Sequence, residues 1–141
     1  MNDPLSAPAL LRYAAAHQDP RNLRAHEIGI PAEAIALCAL LRQVHDGPFD
    51  LAQAAIVLVG IYYVRLVGGA AVPAIATLVV AYVLGWYLLW PFAAALLAFG
   101  WLVQLVGHAR EDNRPAFLAN RESLLLGPLF VVSTLLARRS T

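Results

Sequence analysis

Between Arg65 and Arg110 the chain has no Asp, Glu, Lys or Arg, an absence that excludes a water-covered surface over that interval. At about 1.5 Å per helical residue it is long enough for two crossings of a bilayer. Lysine is missing from all 141 residues, so the ten basic side chains are arginines. Against nine acidic residues they leave a net charge of +1, which excludes an extended electrostatic track for nucleic acid. With one cysteine there is no internal disulfide, and Cys38, inside an apolar run, reads as a packing residue. The N-terminus lacks the apolar run and small-residue cleavage site of an export signal, being interrupted by Pro4, Pro8 and Arg12, so the first segment is expected to be retained.

What is present is apolar. With 60% hydrophobic and 13% charged residues and a mean hydropathy of +0.65, the chain exceeds what one small soluble core can hide. The expected fold is all-α: a polytopic membrane helical bundle of about four spans, with an N-terminal amphipathic helix and a C-terminal re-entrant or interfacial helix. The amphipathic helix covers Ala7 to His17, with Leu10, Leu11, Ala14 and Ala15 as its apolar stripe. Asp19-Pro20 breaks it, and a helical or turn-like path resumes from Asn22 to His26. Gly29-Ile30-Pro31 then marks a new start. A first span from Ile28 to Leu41 is short and carries Glu33. Arg42 to Asp50 is a polar loop, Leu51 to Val67 a better span whose Arg65 must reach headgroups or a partner, and Gly68-Gly69 a turn.

The charge-free interval divides near Trp90-Pro91, where Tyr82, Trp86, Tyr87 and Trp90 gather as at a membrane interface. After a polar stretch from His108 to Glu122, the apolar run Ser123 to Ala137 is broken by Gly127-Pro128 and suits a re-entrant or interfacial segment. The chain thus reads as one membrane domain, with a polar histidine segment over 1–31, spans over 32–107, a polar loop over 108–122 and a C-terminal segment over 123–141. Ala93, Ala94, Ala95 and Gly100 permit close helix packing and homo-oligomers, without deciding either.

Chemistry concentrates at the polar ends. If four spans cross, parity puts His17, His26 and His108 on one face and His45 on the other. Arg12, Arg21, Arg24, Arg110, Arg114 and Arg121 share the first face, which the positive-inside rule makes cytoplasmic. Neutral imidazoles bind Fe(II), Zn(II) and Cu(II). Tyr13 and His17 are four apart, as are Asn22 and His26 and Gln104 and His108, so each pair shares a helix face. Glu111 and Asp112 follow His108 by three and four, within reach of a metal or of an imidazole's second nitrogen, and Arg114 suits an anionic substrate group. The plainer reading of Glu111, Asp112, Arg114 and Arg121 is a solvated loop with ordinary surface pairs.

Tyr13-x3-His17-x4-Asn22-x3-His26-x2-Gly29-x-Pro31, Gln104-x2-Gly107-His108, Asn113-Arg114-Pro115-Ala116 and Leu126-Gly127-Pro128-Leu129-Phe130 occur in this order over nearly the whole chain. In them the chain resembles the membrane family of the yeast 2-hydroxy-fatty-acid dioxygenase. The resemblance implies an Fe(II)-dependent enzyme of fatty-acid α-oxidation that consumes O2 and shortens a long-chain 2-hydroxy acid by one carbon, with His17, His26 and His108 as iron ligands. In the family pattern the acidic residue stands four after the histidine and four before the proline. Here His108 and Pro115 are one residue too close for that, which leaves Glu111 and Asp112 both open for the role. Arg114 or Arg110 is expected to hold the substrate carboxylate, and Tyr13, Asn22 and Gln104 to contact substrate or support the ligands.

The expected setting is the bilayer of a bacterial inner membrane, with the histidine face and both termini cytoplasmic. Two other classes compete: a non-enzymatic scaffold or transporter subunit with merely interfacial histidines, and a Zn(II) hydrolase with Glu111 as general base toward a lipid ester.

Overall fold

The computed structural model describes residues 4–111 and 121–139. Asp112 and Arg114, with the Asn113-Arg114-Pro115-Ala116 motif, lie outside them. The architecture is helical: α1 (Pro8–Ala15), α2 (Pro20–Leu41), α3 (Leu51–Val67), α4 (Val72–Gly85), α5 (Trp90–Arg110) and α6 (Ser123–Arg139). Two short 3-10 turns and a two-residue antiparallel pairing of His45–Asp46 with Phe49–Asp50 complete it. Helices suit this composition because each satisfies its own backbone polar groups without water.

Among the described residues, two runs are long and apolar enough to cross a membrane, Leu51–Gly85 and Trp90–Arg110. The first is a hairpin and not one rod. Gly68 has φ +61°, and beyond it α4 returns along α3, so that Tyr82 Oη donates to Asp50 Oδ2 at 2.6 Å and accepts from Gln53 Nε2 at 3.0 Å. Asp50 and Gln53 also form a capping box that starts α3. The expected turn at Gly68-Gly69 and division near Trp90-Pro91 are both present. Trp86, Tyr87 and Trp90 are exposed at that second turn, and Arg42 lies 3.8 Å over the Trp86 ring. Arg65 is exposed.

Two prolines do not act as expected. Pro31 does not begin a helix: α2 starts at Pro20, capped by Asp19 accepting from Arg21 N at 2.7 Å, and passes through Pro31. Pro128 likewise lies inside α6, and the Gly127-Pro128 break is absent. An interior proline costs about 3 kcal/mol in a helix with nothing to hold it. Here tertiary packing holds both turns, Gly29 lying against α5 and Gly127 against Ile30 of α2. The stripe of α1 is also shifted: Ala9, Leu10 and Tyr13 are buried, whereas Leu11 and Ala15 are exposed.

Helices α2 and α5 run antiparallel with their backbones almost touching. A Cβ added to Gly100 would stand 2.9 Å from Gly29 O, and one on Gly107 would stand 2.5 Å from Asn22 Oδ1 and 2.8 Å from Ala25 Cβ. Gly85 of α4 meets Ile35 and Ala39 near the other end of α2. The main apolar cluster joins Leu10 and Tyr13 of α1, Tyr63 of α3, Leu78 of α4 and Leu126, Leu129 and Phe130 of α6. It lies beside the end of the bundle where α1 finishes, α2 begins and α5 finishes.

Candidate metal centre

Three imidazoles meet at that end. His17 follows α1, His26 is on the second turn of α2, and His108 is on the last turn of α5; all three are buried. Ring centroids are 4.3 Å apart for His17 and His26, and 4.9 Å from each of these to His108. One ligand atom from each residue lies within 4.8 Å of the other two.

Hydrogen bonds fix the protons on two of the rings. His17 Nδ1 is 2.7 Å from Tyr13 O and His26 Nδ1 is 3.0 Å from Asn22 O, so each Nδ1 must donate. The fourfold spacings of the sequence supply these contacts, each carbonyl lying four residues before its histidine. In the neutral rings both Nε2 atoms are then bare lone pairs, and they face each other at 3.1 Å. Two acceptors at that distance repel unless a cation stands between them. Nitrogens bound to one metal at about 2.1 Å, at right-angled to tetrahedral geometry, stand about 3 to 3.4 Å apart. The residues therefore fit a metal.

Charge reinforces this fit. Burial pushes the His17 imidazole below its ordinary pKa, against the opposing effects of its bond to Tyr13 O and of nearby Glu111. A lowered pKa favours the neutral ring, the form a metal binds.

Glu111, at the C-cap of α5, is not in the imidazole cluster. Its Oε1 accepts from the backbone N–H of Gln18 at 2.5 Å and Asp19 at 2.9 Å, and its Oε2 from Asn22 Nδ2. Desolvation pushes this carboxyl up, but the bonds from Asn22, Asp19 and Gln18, with His17 nearby, hold it below the usual carboxylate range. It ties the start of α2 to the end of α5. Asn22 Nδ2 is also 3.4 Å from His108 Nδ1. The Tyr13 ring stacks on His17 at 4.2 Å and touches Phe130 at 4.8 Å. Burial pushes its phenol up, so it stays protonated.

The histidines open onto a cavity of about 300 Å³ between α2, α3, α5 and α6. Ile30, Leu37, Ala55, Ile56 and Val59 line it, and it reaches Leu41 and Ala52. From His26 to Leu41 along α2 is about 22 Å, comparable to an extended long-chain acyl group. Gln104 lines this cavity and donates from Nε2 to Glu33 Oε1 at 2.5 Å.

Of the expected site residues, the structure brings together His17, His26, His108, Tyr13, Asn22 and Glu111, with Gln104 in the adjoining cavity. Arg110 is on the outer face, away from the cavity, and His45 is exposed on the strand pair beyond α2. Glu33 was legible only as a flaw in a span. Its position seven after His26, on the same helix face, was the signal, since an ionisable group in an apolar run ordinarily marks a cavity or site.

A comparison with protein families matches residues 7–139 to 2-hydroxy-palmitic acid dioxygenase Mpo1-like. The chain belongs to the Mpo1-like family. No curated protein and no solved structure matches it. The match covers nearly the whole chain, and all three histidines lie within it. The family's name carries a dioxygenase, which agrees with an imidazole cluster able to hold a metal beside an apolar cavity.

Proposed function

We propose that this Mpo1-like chain is an Fe(II)-dependent dioxygenase that shortens long-chain 2-hydroxy fatty acids by one carbon. The observation that carries this reading is the pair of facing imidazole acceptors, 3.1 Å apart, at the head of a long apolar cavity. With O2 the reaction balances as a carboxylic acid one carbon shorter, CO2 and water. Iron, when bound by His17, His26 and His108, supplies the binding and activation of O2.

The chain's own residues do the rest. The carbonyls of Tyr13 and Asn22 keep the Nδ1 protons in place and aim both Nε2 lone pairs at one point. Glu111 holds Asn22 and so steadies His26, a positioning role. The cavity takes the hydrocarbon tail, which brings the hydroxyl and carboxylate of the substrate to the imidazoles without the tail meeting water. Arg114 is assigned to the substrate carboxylate, and Asp112, like Glu111, stays a candidate for the acidic role. Glu111, already accepting three hydrogen bonds and held ionised by them, is poorly placed as general base of a zinc hydrolase.

In the proposed topology α2, α3, α4 and α5 cross a bacterial inner membrane, α1 and α6 lie at its surface or re-enter, and the histidine face is cytoplasmic. The antiparallel succession of these helices and the two apolar runs support it. Mass spectrometry of the products from a labelled 2-hydroxy acid tests the activity: the acid shorter by one carbon is expected from the iron-loaded protein and not from His17→Ala, His26→Ala or His108→Ala. Unchanged turnover in a folded, metal-free variant contradicts the assignment.

A further inference from the structure

On the outer side of the α2 and α5 pair, away from the histidines, arginines cap a groove. Arg21, Arg24 and Ile28 lie on one face of α2, at spacings of three and four, and Phe99, Leu102, Val106 and Arg110 form a stripe on α5. Gly107 lets the two helices touch at Asn22 and Ala25, so the two stripes lie side by side over a floor of Ala25 and Gly107. Arg21 is bonded to Asp19 at 3.0 Å. Arg24 and Arg110 are exposed and have no carboxylate partner among the described residues. Below them Ile28, Phe99, Leu102 and Val106 are exposed apolar side chains.

We infer that this groove binds an anionic phospholipid, its phosphate between Arg24 and Arg110 and an acyl chain along the apolar walls. Two exposed guanidiniums match a phosphodiester, to which each can donate two hydrogen bonds. A free anion would use the arginines alone. The walls continue for about 16 Å from Arg110 to Phe99, the form of a site for headgroup and chain together. Basic pockets between membrane helices on the cytoplasmic side hold anionic headgroups by this means. The site is separate from the imidazole cluster and gives Arg110 a role outside the reaction.

Native mass spectrometry of the full chain in detergent, titrated with dioleoylphosphatidylglycerol, dioleoylphosphatidylcholine or inorganic phosphate, tests this. The phosphatidylglycerol adduct is expected at one per chain and in clear preference to phosphatidylcholine. Arg24→Gln and Arg110→Gln should each weaken it about fivefold. Arg65→Gln, an exposed arginine on α3, should leave it unchanged. Leu102→Gln, on the wall, should weaken the lipid with both arginines intact. Equal retention of the two lipids, unchanged phosphatidylglycerol binding in the Arg24 and Arg110 variants, an equal loss in Arg65→Gln, or competition by millimolar phosphate as effective as by lipid would each overturn the proposal. The single variants change exposed side chains one at a time, and a native-like thermal transition for each shows that the loss is local.

Discussion

At His17 and His26 the ring proton is committed to a main-chain carbonyl, and that commitment leaves their Nε2 atoms open to a metal. Single alanine variants of His17, His26 and His108 should lose metal on dialysis, by elemental analysis, whereas His45→Ala should keep full occupancy; loss in His45→Ala would make the ligand set wrong. Glu111→Gln replaces an acceptor facing Asn22 with an amide and should weaken metal affinity about 10- to 100-fold by equilibrium competition with a chelator. Unchanged affinity would limit Glu111 to fastening the helix ends.

Helices α2 and α5 place their histidines together because glycines remove the side chains that would hold them apart. Gly107→Val should cost about 1–3 kcal/mol and lower metal occupancy, since its Cβ meets Asn22 and Ala25. Gly69→Ala, with open space around it, should do neither. Denaturant melts of the two variants give the comparison, and equal stability would remove the argument for close approach. Elements with simple local causes were legible in the sequence. The charge-free interval, the Gly68 turn and the Leu51–Val67 helix follow from apolar length and a glycine at positive φ. The imidazole cluster was legible through the ordered histidine motifs and their fourfold spacings. Pro31 and Pro128 were misread because local propensity speaks against them, and the packing that outweighs it comes from residues distant in sequence. Arg110 was misplaced for a similar reason: two positions past His108, it points to another side of the same helix.

Taken whole, the molecule sets a polar cluster at one end of an apolar bundle, with a cavity running inward from it. If the bundle crosses four times, reporters fused before Pro4 and after Asn113 should give the same cytoplasmic signal, and one after Gly47 the opposite; a periplasmic signal after Asn113 with a cytoplasmic N-terminus would remove the proposed topology. The most direct test of the central claim is oxygen uptake by anaerobically purified protein, stripped of metal and reloaded with one equivalent of Fe(II) or Zn(II), on adding a long-chain 2-hydroxy fatty acid. Oxygen consumed in step with formation of the acid one carbon shorter, with iron and not with zinc, and lost in His26→Ala, is the predicted result. Full iron occupancy with no oxygen consumed, or turnover unaffected by removal of the metal, would contradict it.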